Sequence, residues 1–376
     1  MKIAILLSGG VDSSVALKLL QAEGHDLTAF YLKIWLEDEL SYLGDCPWEE
    51  DLAYARQICE EAAVPLEIIS MQKEYWDEVV SYTITEVKEG RTPNPDILCN
   101  QRVKFGAFYN HINDSFDKIA TGHYAQTKEK DGQTYLKKAA DSFKDQTYFL
   151  SHLSQEQLSK ALFPIGSLQK SKVRELAQKY NLPNQKRKDS QGICFLGKIK
   201  FSEFLKHHLG EKTGDIIEYE TQEKLGEHLG FWYHTIGQRQ GLGLSGGPWY
   251  VVKKDIPHNK VYVSREYHTP EKNRNEFEVG KLNWITKAPT NPEKNINLQV
   301  KLRHGETFHE GEVSFIKNDT VLVKIKESDQ GIAPGQFAVF LRKRHLFRRR
   351  NNLARNRLKN QVKSGIIDRF KKSFYG

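Results

Sequence analysis

Apolar residues follow two different rhythms along this chain. In the first half, short apolar runs alternate with segments whose apolar residues recur every three or four positions. That pattern predicts strands alternating with helices, hence a parallel sheet covered by helices. Residues 2–7 predict a buried strand, a Ser8-Gly9-Gly10 turn follows, and Val15, Ala16, Leu19 and Leu20 then continue with helical spacing. Further strands are predicted over 27–32, 66–70 and 118–121. A helix over 49–63 places Leu52, Ala55, Cys59 and Ala62 on one face, and another over 171–180 ends before Leu182-Pro183. After about residue 205 the rhythm changes. Gly210, Gly214, Gly226, Gly230, Gly237, Gly241, Gly243, Gly246 and Gly247 punctuate short segments, and Val261-Tyr262-Val263, 298–302 and 321–325 alternate as antiparallel strands do. Turns or linkers fall at 273–275 and 288–295. The fold class predicted is α/β, with a parallel-sheet domain over 1–205, a small mixed domain over 206–274, a β-barrel-like domain over 275–343 and a tail over 344–376.

Length agrees with this division, because 376 residues exceed one ordinary core. A hydrophobic content of 39% with 28% charged residues is that of a soluble globular protein. No window approaches eighteen consecutive apolar residues, which excludes a spanning helix, and the apolar start is too short for a secretory leader. The four cysteines, Cys46, Cys59, Cys99 and Cys194, do not make a disulfide framework in so long a chain, so a reducing, cytoplasmic setting is expected. Charge changes the picture more. Residues 342–376 hold thirteen Lys and Arg against Asp368 alone, giving that segment +12 of a net +8 and leaving −4 for the rest. Such a block fits a polyanion such as nucleic acid, with salt-sensitive affinity. A solubilising tail, or a weak membrane-surface contact through Ile366, Ile367 and Phe370, would use the same residues.

Ser8-Gly9-Gly10-Val11-Asp12-Ser13-Ser14 joins the first strand to a helix N-terminus. Free amides, the helix dipole and paired glycines make this a site for phosphate. It lacks the spacing and the lysine of a Walker loop, and it is not Gly-x-Gly-x-x-Gly. An ordinary capped turn would use similar residues. The full hexapeptide at the first strand-to-helix turn instead resembles the pyrophosphate loop of the ATP pyrophosphatases, which implies ATP cleaved between its α and β phosphates. By that resemblance Ser8, Ser13 and the amides hold pyrophosphate, and Asp12 helps position Mg²⁺.

Two cysteines sit in loop settings. Pro93-Asn94-Pro95-Asp96-Ile97-Leu98-Cys99-Asn100 places a thiol after a twice-proline turn and ahead of Arg102 and Lys104. Ser190-Gln191-Gly192-Ile193-Cys194-Phe195 places another after Lys186-Arg187-Lys188. Nearby cations favour thiolate, the reactive form, so both thiols are expected to be reactive rather than merely buried. Cys59, on an apolar helix face, is expected to be core. Cys46-Pro47-Trp48 is given no role.

Six motifs in order, Ser8–Ser14, Thr92-Pro-Asn-Pro-Asp-x-x-Cys-Asn, Thr121-Gly-His-Tyr, Lys144-Asp-Gln-x-Tyr148, Asp189-Ser-x-x-Ile-Cys-Phe and His234-Thr-Ile-Gly-Gln-Arg-x-Gly, resemble the bacterial and organellar tRNA-specific 2-thiouridylases from residue 1 to about 340. The resemblance implies a Rossmann-like catalytic domain, a central tRNA-binding domain and a C-terminal barrel. It implies 2-thiolation of the wobble uridine of tRNAs for Lys, Glu and Gln, with ATP and Mg²⁺ and with sulfur from a cysteine desulfurase or a relay protein. Adenylation of the uracil C2 oxygen makes AMP the leaving group, and Cys194 carries sulfur as a persulfide. Cys99, the partner thiol, either adds to the base or releases hydrosulfide by attacking the persulfide; both routes end in a Cys99–Cys194 disulfide. Carried residue by residue, Leu6, Leu7, Ser8, Gly9, Gly10, Val11, Asp12, Ser13, Leu32 and Gly122 would contact ATP. Leu32 stands where the family often has Met, which leaves an apolar contact intact. Asn94, Pro95 and Asp96 would meet the base, Asp96 as an acid/base or hydrogen-bond partner. His123, Lys144, Asp145, Gln146, Arg303, His304 and Gln336 would contact tRNA. Competing readings are a 4-thiouridine or 2-thiocytidine sulfurtransferase and a catalytically silent tRNA-binding relative. The basic tail departs from the family pattern.

Overall fold

The computed structural model describes residues 1–34, 48–189, 200–266, 274–285, 295–317, 319–341 and 362–370, the last by backbone alone. The first domain contains β1 (Lys2–Leu6), β2 (Asp26–Lys33), β3 (Leu66–Ser70), β4 (Lys118–Ala120), the hairpin β5 (Gln126–Lys130) and β6 (Gln133–Lys137), and the short β7 (Ala161–Leu162). Five of these make a parallel sheet in the order β3-β2-β1-β4-β7. At β1 the sheet is buried on both faces, because Ile3, Ala4, Ile5 and Leu6 are all apolar. Ile3 and Ile5 enter one core with the helices Val11–Ala22 and Trp48–Ala62, while Ala4 and Leu6 enter the other with Phe30, Phe105 and Phe108. Cys59 is 3% exposed within the first of these cores, as its helical spacing predicts. Chain order reverses across β1, with β2 on one side and β4 on the other. The crevice at its carboxyl end is therefore the place where an open parallel sheet binds ligands.

A helix, Phe201–Leu209, leads to β8 (Gly214–Glu218), β9 (Lys224–His228), β10 (Tyr250–Asp255) and β11 (Lys260–Ser264). They form a sheet in the order β10-β11-β8-β9, packed over Ile216, Phe231, Trp249, Val251, Val261 and Val263. The last domain holds β12 (Glu276–Asn283), β13 (Ile296–Lys301), β14 (His309–Lys317), β15 (Thr320–Ile325), β16 (Phe337–Leu341) and β17 (Val362–Phe370), closed into a barrel in the order β12-β15-β14-β13-β16-β17. Val321, Val323 and Ile325 of β15 point inward at the period of two that the sequence shows. β17 comes from the segment read as a basic tail. It pairs antiparallel with both β12 and β16 and closes the barrel, which removes the edges those strands would otherwise expose. Part of the tail is therefore barrel wall. Among the described residues no helix is long and apolar enough to cross a membrane.

Candidate functional site

The phosphate loop occupies the switch-point crevice. Gly10 precedes the helix Val11–Ala22 without a side-chain cap, which leaves first-turn amides open to an anion. Ser8 N donates to Ser13 Oγ at 3.2 Å, and the hydroxyls of Ser13 and Ser14 donate to the Gly10 carbonyl at 3.0 and 2.8 Å, so the loop is braced from inside. Gly9 has a φ of +71°, and a Cβ on it would lie 2.3 Å from the Asp51 carbonyl oxygen. Leu6, Leu7 and Val11 are buried beneath the loop. Leu32 is half-buried at the carboxyl end of β2, alongside.

Gly122, just past β4, presses on the loop from the other side: a Cβ there would lie 2.6 Å from Ser13 N. Gly122→Ala must therefore displace an amide of the anion cradle. The expected result is ATP affinity lowered about tenfold or more by calorimetry, together with a lowered thermal midpoint, because the atoms that must move are backbone.

Residues distant in sequence complete this end. Asn184 Nδ2 donates to the Gly9 carbonyl at 2.7 Å and to Ser14 Oγ at 2.9 Å, while Arg187 donates to the same carbonyl at 3.2 Å and pairs with Asp51. Lys170 places its ammonium 2.8 and 2.9 Å from the two carboxylate oxygens of Asp12 and 2.7 Å from Asp189 Oδ1. Asp189 also accepts from Lys144 at 2.6 Å and from Arg174 at 2.5 Å. Burial alone would raise the Asp189 pKa, but hydrogen bonds from Lys144 and Lys170 outweigh it and hold the carboxyl at about 2. Lys144, expected at tRNA, is thus engaged at this carboxylate. Lys170, Asn184 and Arg187 were missed by motif reading. The one local signal was a lysine opening the helix Lys170–Lys179, where the helix dipole disfavours a cation.

The second end is built on the twice-proline turn. Asn94 Oδ1 accepts from Ile97 N at 3.2 Å, and Pro95 opens a single helical turn, Pro95–Leu98, that delivers Cys99 into a π-helical segment, Cys99–Ala107. The barrel grips this turn from outside. Thr92 N donates to the Pro334 carbonyl at 2.8 Å, and a Cβ on Gly335 would lie 2.8 Å from Thr92 N. Asn100 Nδ2 donates to the Phe149 carbonyl at 3.1 Å, and the Phe149 ring lies 4.8 Å from that of His304. The Tyr148 hydroxyl is within hydrogen-bond reach of the Leu302 and Phe337 carbonyls, at 3.3 and 3.2 Å. Burial lowers the His304 pKa, with the Lys301 charge adding to it and the Asp145 carboxylate opposing. Asp145 itself is buried, accepting from Ala139 N at 2.9 Å and Thr147 Oγ1 at 2.8 Å, with Lys301 Nζ at 3.5 Å. Its carboxylate fastens the barrel to the catalytic domain. Arg303 pairs with Asp329 and lines, with Gln336, a cavity of about 470 Å³ against Ile236 and Gly237 of the central domain.

Cys99 corrects one expectation. Its thiol is 1% exposed, and burial pushes its pKa up, with Lys104 opposing and Asp96 adding. Arg102 turns away to donate to the Glu78 carbonyl at 3.1 Å and to pair with its carboxylate. Cys99 in this state is a protonated, protected thiol rather than a cation-activated one. A raised thiol pKa lowers the thiolate fraction at neutral pH. Iodoacetamide should therefore label Cys99 far more slowly than an exposed thiol at pH 7, its rate still rising with pH above 9, as read by peptide mass spectrometry. Cys194 and Cys46 lie outside the described residues.

A hydrogen-bond ladder joins the two ends. The Tyr124 hydroxyl donates to Asp12 Oδ1 at 2.9 Å, Tyr124 N donates to Gln146 Oε1 at 2.9 Å, and Gln146 N donates back to the Tyr124 carbonyl at 2.9 Å. Gln146 leads directly into the turn Thr147–Leu150 that touches Asn100 and the barrel. Neighbouring His123 is half-buried, bonded through Nδ1 to Thr121 Oγ1 at 2.8 Å, and burial holds it neutral.

These features define a class: a phosphate-loop α/β enzyme with two β-rich domains appended, the last closing over a cysteine-bearing turn. Comparison with known proteins agrees. Family models match in three consecutive blocks, described as a tRNA methyl transferase HUP domain over residues 1–198, a tRNA methyl transferase PRC-barrel domain over 202–265 and an aminomethyltransferase beta-barrel domain over 274–345. The tRNA-specific 2-thiouridylase MnmA of Parabacteroides distasonis is 49% identical over 92% of this chain and 96% of that protein. The protein of the same name from Porphyromonas gingivalis is 47% identical over 92% and 96%, and tRNA-specific 2-thiouridylase MnmA 1 of Bacteroides thetaiotaomicron is 47% identical over 90% and 95%. The chain belongs to the tRNA-specific 2-thiouridylase family.

Proposed function

We propose that this protein is an ATP-dependent tRNA uridine 2-sulfurtransferase acting on the wobble position, with tRNAs for Lys, Glu and Gln as substrates. Family membership carries the reaction class. The observation that supports its assignment to these residues is the ladder from Asp12 through Tyr124 and Gln146 to the Cys99 turn, which puts a phosphate site and a thiol in one connected structure.

The uracil C2 carbonyl is urea-like, and its oxygen does not leave unaided. It attacks the α-phosphorus of ATP, pyrophosphate departs over Ser8–Ser13, and AMP becomes the leaving group at C2. Open amides at the head of Val11–Ala22 oppose the charge that develops on pyrophosphate. Asp12 has both carboxylate oxygens directed at a cation, Lys170, and offers the oxygen donors that Mg²⁺ takes. With ATP's own phosphate oxygens it would hold that ion, which supplies charge neutralisation there. Asp96 stands at the base end as acid/base or hydrogen-bond partner. Sulfur arrives from a cysteine desulfurase or relay protein as a persulfide on Cys194. Either Cys99 thiolate attacks that persulfide, breaking its S–S bond, forming the Cys99–Cys194 disulfide and releasing hydrosulfide to C2, where AMP leaves, or Cys99 first adds at C2 and expels AMP. On the second route the terminal persulfide sulfur displaces Cys99 from C2, and the freed Cys99 thiolate breaks the Cys194 S–S bond, leaving sulfur on the base and the same disulfide. Two electrons from a thiol reductant restore the free cysteines.

The test uses the full chain, ATP and Mg²⁺, a desulfurase with cysteine, and unmodified tRNA transcripts for Lys, Glu and Gln. Thiolated tRNA is read as retardation on a mercury-containing gel. Retarded bands with equimolar AMP are the expected result. AMP without retardation would leave the adenylating site standing and overturn the substrate.

A further inference from the structure

We propose that Lys170 is a nucleotide-site residue of this enzyme, the cation that its phosphate loop does not carry itself, and that Asp189 is the positioning residue that holds it there. The inference rests on the ATP reading of the loop. Ser8–Ser14 contains no lysine, so the charge of a triphosphate arriving at the amides would meet the Asp12 carboxylate with no cation of the loop's own. Lys170 supplies one from 158 residues away, reaching both oxygens of Asp12.

Its placement is fixed at both ends of the side chain. At the backbone, Lys170 N donates to Asp141 Oδ2 at 2.9 Å, and Asp141 Oδ1 in turn accepts from Phe143 N at 3.1 Å and Lys144 N at 3.2 Å. At the tip, the ammonium lies between Asp12 and Asp189, and the side chain is only 15% exposed. Lys144 and Arg174 share Asp189, which fixes the carboxylate that fixes Lys170. A lysine in the first turn of a helix works against the helix dipole. Here that placement instead brings an ammonium to the residue whose neighbours carry the open amides. Asp12 is the second residue of its own helix, so the ammonium sits within a residue or two of the cradle that would receive phosphate. Phosphate oxygens bind an ammonium as carboxylate oxygens do, and Lys170 would pass a hydrogen bond from Asp12 to the incoming anion.

Calorimetry with ATP, with inorganic pyrophosphate and with adenosine tests this on the full chain, using Lys170→Met, Lys170→Arg, Asp189→Asn and the double variant Lys170→Met/Asp189→Asn. Methionine keeps the apolar stem and loses the charge. Lys170→Met should weaken ATP and pyrophosphate about ten- to a hundredfold and leave adenosine within twofold, and Lys170→Arg should recover most of the loss. Asp189→Asn should weaken pyrophosphate several-fold in the parent and add nothing to Lys170→Met, because it acts through Lys170. A merely structural Asp189 would add its cost in both backgrounds. Thermal unfolding by circular dichroism identifies any variant that has lost its fold, and Lys170→Arg then carries the comparison through its ATP-to-adenosine affinity ratio. If the parent binds ATP and Lys170→Met binds ATP and pyrophosphate equally well, the role of Lys170 is overturned and the ATP reading stands. If the parent binds no ATP, the ATP reading itself falls.

Discussion

Cys99→Ser is expected to lower thiolated tRNA by about a thousandfold or more while leaving ATP affinity within twofold. The separation follows from geometry. The proposed ATP contacts are the Ser8–Ser13 loop, Leu32 and Gly122, whereas Cys99 lies on the segment behind the twice-proline turn, joined to them by hydrogen bonds through Asn100, Phe149 and the Gln146–Tyr124 ladder and by the apolar core that Cys99 shares with Leu6. Serine fits the same buried position, so folding should survive, but a hydroxyl neither attacks a persulfide usefully nor closes a disulfide with Cys194. The burial that protects the Cys99 thiol also keeps it away from adventitious oxidants, and it requires that bound tRNA or an arriving persulfide expose or deprotonate the sulfur. Mercury-gel retardation beside an ATP titration reads both halves. Cys194→Ser gives the contrast: loss with desulfurase and cysteine, activity with free sulfide. Retained thiolation by Cys99→Ser would remove Cys99 from the chemistry and leave it a core residue.

What the sequence made legible was local. β1, the phosphate loop and the helix after it are contiguous, so their apolar rhythm and glycines announce them; Cys59 and β15 were readable for the same reason, a period held over one element. The Cys99 segment broke that rule, because π-helical turns over Trp76–Val80 and Cys99–Ala107 depart from the 3.6-residue spacing that pattern reading assumes. The partnership of Lys170, Tyr124, Asn184 and Arg187 with the loop was hidden for another reason. They reach it across 112 to 178 residues, and although Tyr124 closes the Thr121 motif and Arg187 stands in a basic run, neither feature points to the loop. Burial was equally hidden. Lys104 and Arg102 beside Cys99 suggested an activated thiol, yet enclosure decides its pKa and Arg102 faces Glu78. In the C-terminal segment the density of positive charge obscured Val362–Phe370, whose strand character depends on β12 and β16 offering edges to pair with.

Lys301→Met should destabilise the protein by about 3 kcal/mol, read as a lower urea midpoint. Lys301 is 2% exposed at its side chain and Asp145 is 4% exposed, with 3.5 Å between ammonium and carboxylate. Such a pair gains little over well-packed apolar groups, but removing one member strands the other charge in the interior. Asp145 keeps its bonds from Ala139 N and Thr147 Oγ1, which places the cost at the low end of the usual range for a broken buried pair. The double variant Lys301→Met/Asp145→Asn is expected to recover most of the midpoint, because no buried charge is left behind: the amide oxygen can still accept from Ala139 N, while the amide nitrogen donates to the Thr147 hydroxyl. If the double variant is no better than the single one, the contact of the Lys301 ammonium over the Phe308 ring, 4.9 Å from its centroid, rather than the pair with Asp145, is what holds the barrel in place. The consequence for function is direct. Arg303 and His304 follow Lys301 by two and three residues, and His304 meets Phe149 beside Cys99. Loosening this pair should therefore raise the KM for tRNA before it alters ATP affinity, since the barrel end of the site depends on it and the phosphate loop does not.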